Sequence, residues 1–210
     1  MSKNSLIYIV LWILIQLLIE INCQMTPFKP LGRELHTATL INDKLYILSG
    51  RRDDKKQFFY LDVSISFNTQ ELLWHDLTDI NIVPSHYGAA SVNGGANNNT
   101  LFLYGGTPDI GKMDLVYTFD TETNSWNVLK KIGENIENID SKRYYLTGIV
   151  NDRKMYLFGG YNGIEDLNDM LILDTINFNW KKGGLVNAPS PREVYGATLL
   201  PNQHIIYLGK

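Results

Sequence analysis

The chain has 210 residues and a formal net charge of −3, with 44% hydrophobic and 20% charged residues. That apolar share excludes a globally disordered chain, and the lack of any five-residue run of one charge argues against a nucleic-acid-binding surface. A single cysteine, Cys23, excludes a disulfide framework and a cysteine-rich zinc site.

Residues 6–19 read LIYIVLWILIQLLI, apolar apart from Gln16. As a helix rising about 1.5 Å per residue they would cover roughly 21 Å of a hydrocarbon core about 30 Å thick. That is short for a span and fits the apolar region of a signal peptide, with Lys3 as the basic lead and Glu20 to Gln24 as the polar exit. The reading is a signal peptide over residues 1–23, cleaved after Cys23, with an uncleaved membrane anchor as the alternative.

Residues 24–210 repeat. His36 to Gly50, Tyr87 to Gly106, Tyr145 to Gly160 and Tyr195 to Gly209 each hold a small-residue strand, a polar turn and an apolar strand ending at glycine. The four segments are aligned on His36, Tyr87, Tyr145 and Tyr195; His36 and His86 open the first strands of blades one and two, with Tyr144 or Tyr145 and Tyr195 near the equivalent places. Three units continue into a strand ending in Asp62, Asp120 or Asp174, then a polar turn and Trp74, Trp126 or Trp180. Gly50, Gly105, Gly159 and Gly209 recur every 50–55 residues. Four short strands in such a period make one propeller blade. The blades expected are about 31–80, 85–130, 142–183 and a half blade at 188–210.

Gly105-Gly106, Gly159-Gly160, Tyr117, Asp120, Trp126, Asp174 and Trp180 carry a resemblance to the kelch-repeat family, secreted proteins of the galactose-oxidase and attractin type included. Gly50, followed by Arg51, and Gly209, followed by Lys210, hold half of the glycine motif. The resemblance implies an all-β, kelch-type propeller, partial at about three and a half blades. Both of its end blades would offer open strand edges for self-association, Ile205 to Leu208 among them. Physically, the glycines permit positive φ and close backbone approach. Each tryptophan would fill the gap between blades, worth about 2–3 kcal/mol if fully buried. Each aspartate would hold the turn after its strand.

The motifs that carry chemistry are weak. Gly106 to Lys112 fits the start of a phosphate loop, but Met113 stands where Ser or Thr is needed and a strand follows instead of a helix. His36, His75, His86 and His204 show no metal-ligand spacing. Copper-radical chemistry of the galactose-oxidase type needs a Tyr–Cys crosslink, and Cys23 falls in the signal segment. Asn98-Asn99-Thr100 is a glycosylation sequon. No catalytic residue, cofactor or metal is expected. The expected function is a non-catalytic secreted or cell-surface module that binds a protein or glycan through Arg51 to Phe58, Thr107 to Leu115 and Tyr161 to Asn168. An inactive fragment of a carbohydrate oxidase is the alternative.

Overall fold

The structure, a computed structural model, describes residues 7–14, 16, 27–51, 56–129 and 143–209. Two compact units emerge, Met1–Pro30 and Leu31–Lys210. In the first, residues 7–14 are helical. Lys3, Cys23 and the cleavage site lie outside the described residues. Among the described residues, no helix is long and apolar enough to cross a membrane.

The second unit is built of strands and one 3-10 turn at Thr78–Ile80. Blade one is an antiparallel sheet of β1 (Thr37–Ile41), β2 (Lys44–Leu48), β3 (Phe58–Asp62) and β4 (Trp74–Asp76), in that order. Next come β5 (His86–Tyr87), β6 (Ala90–Gly94), β7 (Thr100–Tyr104), β8 (Thr107–Pro108), β9 (Val116–Asp120) and β10 (Ser125–Val128). Of these, β6-β7-β9-β10 form blade two, while β5 and β8 pair as a separate ribbon. Blade three is β11 (Gly148–Asn151), β12 (Lys154–Phe158), β13 (Met170–Asp174) and β14 (Trp180–Lys182). A last hairpin pairs β15 (Gly196–Leu199) with β16 (Ile205–Leu208).

The first hairpins of blades one and three turn on Asn42-Asp43 and Asp152-Arg153, all four residues at positive φ. That is the turn whose twist matches the strands it joins, and Asn and Asp tolerate it best. The first strands of successive blades then lie side by side, β1 against β6, β6 against β11 and β11 against β15. This crowding explains their small residues. A Cβ on Gly148 would stand 3.0 Å from Val92 Cγ1. The hydroxyls of Thr39 and Ser91 hydrogen-bond across one seam, and Thr147 donates to the Tyr195 carbonyl at 2.6 Å across another.

The core fills the seams between blades. Tyr46, Leu48, Phe58, Leu101, Leu103 and Phe119 form one buried cluster, and Phe102, Tyr104, Met155, Leu157, Leu171 and Leu173 form a second. Residues 101–104 are buried on both faces of β7. This is why the strand reads as a continuous apolar run rather than an alternation. The architecture is a partial all-β propeller.

Each tryptophan starts or follows the start of a fourth strand, and all three are only half-buried. Trp126 stacks edge-on to Phe58 of the preceding blade at 5.2 Å, and Trp180 meets Tyr104 at 5.6 Å. Trp74 instead meets Phe59 of its own blade. The aspartates hold turns. Asp120 Oδ1 accepts the amides of Glu122 and Thr123 at 2.8 and 3.0 Å, and Asp174 Oδ1 accepts those of Ile176 and Asn177 at the same distances. Asp62 accepts the amide and hydroxyl of Ser64. These hydrogen bonds hold all three carboxyls below the ordinary carboxylate range.

Candidate functional site at the propeller mouth

The second strand of each blade ends where the chain crosses to its neighbour. Ser49, Gly105 and Gly159 donate their amides back to Gln57, Leu115 and Asp169 of the loop ahead of the third strand. One residue on, Gly50, Gly106 and Gly160 donate across the seam to the carbonyls of His86, Arg143 and Arg192. The glycine requirement is strict at Gly105, where φ is +68° and a Cβ would lie 2.2 Å from the Arg143 carbonyl oxygen.

These bonds set the register of the repeat, and it differs from the sequence alignment. Arg33, His86, Arg143 and Arg192 are equivalent, so His86 takes an arginine's place and does not open a first strand beside His36. Two residues on come Leu35, Gly88, Tyr145 and Val194, all at positive φ between 48° and 68°. Each of the last three donates its amide to the one before it. Gly88 bonds the Leu35 carbonyl at 2.9 Å, Tyr145 that of Gly88 at 2.7 Å, and Val194 that of Tyr145 at 2.8 Å. Tyr87, Tyr145 and Tyr195 therefore occupy three successive positions rather than one column. Aromatic identity hid the shift, because neighbouring residues point to different sides of an extended chain.

The arginine position supplies a buried fastening that sequence reasoning missed. Arg143 is 2% exposed, and its Nη1 and Nη2 donate to the two Asp169 oxygens at 2.6 and 2.8 Å. Burial alone would raise the Asp169 carboxyl, and the Arg143 hydrogen bonds and charge more than offset that, leaving it below the usual range. In blade one Arg33 does likewise, donating to the Ser49 carbonyl at 2.8 Å and to Gln57 Oε1. In blade two His86 and Leu115 stand in these places. His86 is 1% exposed, its Nδ1 lies 2.7 Å from the Pro84 carbonyl, and its Nε2 has no partner. Three arginines at irregular spacing were the available signal.

Around the left-handed residues opens a depression of about 220 Å³, lined by His36, Tyr145, Leu146, Thr147, Val194 and Tyr195 among others. Tyr145 of this lining belongs to an aromatic chain. The Arg51 guanidinium lies over the Tyr87 ring at 5.4 Å, and Tyr87 meets Tyr145 at 6.3 Å. Tyr145 meets Tyr144 at 5.2 Å, and Tyr144 meets Tyr161 at 5.5 Å, both edge-on. Glu193 precedes Val194 of the lining, and its charge acts on Tyr144 and Tyr145. Its Oε2 is buried without a hydrogen-bond partner, and burial followed by the Asp166 charge raises its carboxyl above the ordinary value. Val194 of the lining is 62% exposed, and Ile110 and Ile164, in the loops that follow β7 and β12, are 75% and 86% exposed.

Of the loops singled out in the sequence, Thr107 to Leu115 and Tyr161 to Asn168 are described in full, and Arg51 to Phe58 lacks residues 52–55. Gly106 to Lys112 carries β8, and β9 follows it. His75 stacks on Tyr60 at 4.6 Å, and His204 is exposed. Asn98 is exposed at the tip of the β6–β7 hairpin with φ 55°. Among the described residues, no group of three or more His, Cys, Asp or Glu is placed to hold a metal ion.

Comparison with known proteins agrees with this geometry. A family model for the KLHDC2/KLHL20/DRC7 Kelch-repeats domain matches residues 23–210. Kelch domain-containing protein 3 of Rattus norvegicus is 28% identical over 190 residues, 83% of this chain and 48% of that protein. Its Homo sapiens counterpart is 27% identical over the same shares. Acyl-CoA-binding domain-containing protein 6 of Oryza sativa subsp. japonica is 25% identical over 193 residues, 86% of this chain and 28% of that protein. The chain thus spans about half the length of the kelch domain-containing relatives it matches. The repeated glycines, the seam-crossing hydrogen bonds and the family match together make the chain a member of the KLHDC2/KLHL20/DRC7 Kelch-repeat family.

Proposed function

We propose that the propeller mouth is a docking site for a segment of another protein. The observation that carries this reading is the aromatic chain from Arg51 through Tyr87, Tyr145 and Tyr144 to Tyr161. Tyrosines offer large, stiff contact area with a polar tip, and they are enriched where proteins meet. Here they stand on backbone fixed by the seam hydrogen bonds, so little ordering is left to oppose binding. The exposed Ile110 and Ile164 side chains favour a protein over a glycan as occupant.

The test is retention of binding proteins from the native source by the wild-type chain against Tyr87→Ala and Tyr161→Ala variants. Loss of the same partners from both variants, with unchanged melting, supports the mouth. Equal retention overturns it.

A secreted or cell-surface placement is part of the proposal, supported by the apolar run over residues 6–19 and the exposed Asn98 sequon. Expression through a eukaryotic secretory route should give a chain beginning at Gln24. It should also give a mobility shift on N-glycosidase treatment that Asn98→Gln abolishes.

A further inference from the structure

We propose that the side of the mouth between blade three and the last hairpin takes the guanidinium of an arginine side chain from the protein partner. This rests on the docking reading above and names its chemistry.

Three backbone links bring the groups together. Tyr161 bridges both Tyr144 and Asp166, which sets one carboxylate against the tyrosine pair. The Val194 amide bonds the Tyr145 carbonyl, which sets Glu193 beside the same pair. The Tyr144 hydroxyl is held over the Gly163 turn, where an added Cβ would lie 3.2 Å from it.

The result is three tyrosine rings and two carboxylates. Glu193 Oε2 is buried and unpartnered, and neither Glu193 nor Asp166 enters an ion pair among the described residues. The Glu193 charge reaches both Tyr144 and Tyr145. A buried carboxylate oxygen without a donor is unfavourable, and a cationic donor is the group that satisfies it best. The other end of the aromatic chain already shows the arrangement, with the Arg51 guanidinium over the Tyr87 face. A guanidinium fits better than an ammonium. It is flat, weakly hydrated and able both to lie on a tyrosine and to bond a carboxylate in pairs.

The test is a display selection of random linear peptides on the full chain, followed by affinity measurement for one selected peptide and its citrulline counterpart. Citrulline keeps the shape and removes the charge. The expected result is an arginine common to the selected peptides, with affinity falling roughly tenfold or more on the change to citrulline. Glu193→Gln should bring a similar fall for the arginine peptide and little further change for the citrulline one, with unchanged melting. Asp166→Asn should weaken binding in the same direction. Selected peptides that Tyr161→Ala loses, but that bind equally with citrulline or to Glu193→Gln, leave the docking site standing and overturn the arginine assignment. Failure to select any peptide sensitive to Tyr161→Ala overturns both.

Discussion

The Tyr145 amide donates a 2.7 Å hydrogen bond to the Gly88 carbonyl, and both residues are left-handed, at φ 61° and 68°. The Tyr145 ring lies over Gly88, so that a Cβ there would come within 2.8 Å of it. The Tyr145 ring and the seam's backbone bond therefore compete for the same space, and glycine resolves the competition.

A graded set of alanine substitutions should report this. Gly111→Ala meets nothing within 4 Å and carries only the strain of φ +77°, about 1 kcal/mol. Gly88→Ala must also displace a ring, and about 1–3 kcal/mol is expected. Gly105→Ala meets the Arg143 carbonyl, which cannot swing aside, and should be the worst of the three. Urea unfolding midpoints should fall in that order.

Arg143 should behave as a buried fastening rather than a surface charge. Arg143→Ala strands Asp169 in a half-buried site and should destabilise by about 3–5 kcal/mol. Replacing both, as Arg143→Met with Asp169→Leu, should recover most of that, since blade two already folds with His86 and Leu115 in the same places. A double-mutant cycle measured by thermal unfolding checks the coupling.

His86 predicts acid sensitivity. Burial lowers its pKa from 6.5, partly opposed by the Pro84 carbonyl and the Asp109 charge. The folded state then binds fewer protons than the unfolded one below that value. Stability is fully present above about pH 6.5 and declines as pH falls from there toward the lowered folded pKa. His86→Gln should flatten the melting temperature between pH 7 and roughly pH 5. An unchanged slope would show that carboxylates alone govern the acid limb.

Trp126→Ala opens the seam against Phe58 and Phe119. Because Trp126 is half-buried, the expected loss is about 2–3 kcal/mol, below the 3–5 kcal/mol of a fully buried aromatic. Trp74→Ala, whose ring contact among the described residues is with Phe59 of its own blade, should cost less.

The blade was legible because its signals are local. A strand period, a turn type and a terminal glycine each leave a mark within a few residues, and Gly105, Asp120 and Trp126 could be placed from those marks. The mouth was not legible because it is made of non-local partners. Tyr87 and Tyr145 stand 58 positions apart in the chain, and only the seam register brings their rings together. Arg143 and Asp169 posed the same difficulty. Each is an ordinary charged residue until the fold removes water from around the pair.

The mortar between blades at the rim is main chain. No one side-chain type is common to Leu35, Gly88, Tyr145 and Val194, yet their peptide groups link in one unbroken series. The joinery is thus indifferent to what those residues display, apart from the local demands of glycine. Such a rim can be rewritten residue by residue, its lettering changed without disturbing the stonework, and descendants of one ring can acquire unrelated partners while keeping the same hydrogen bonds.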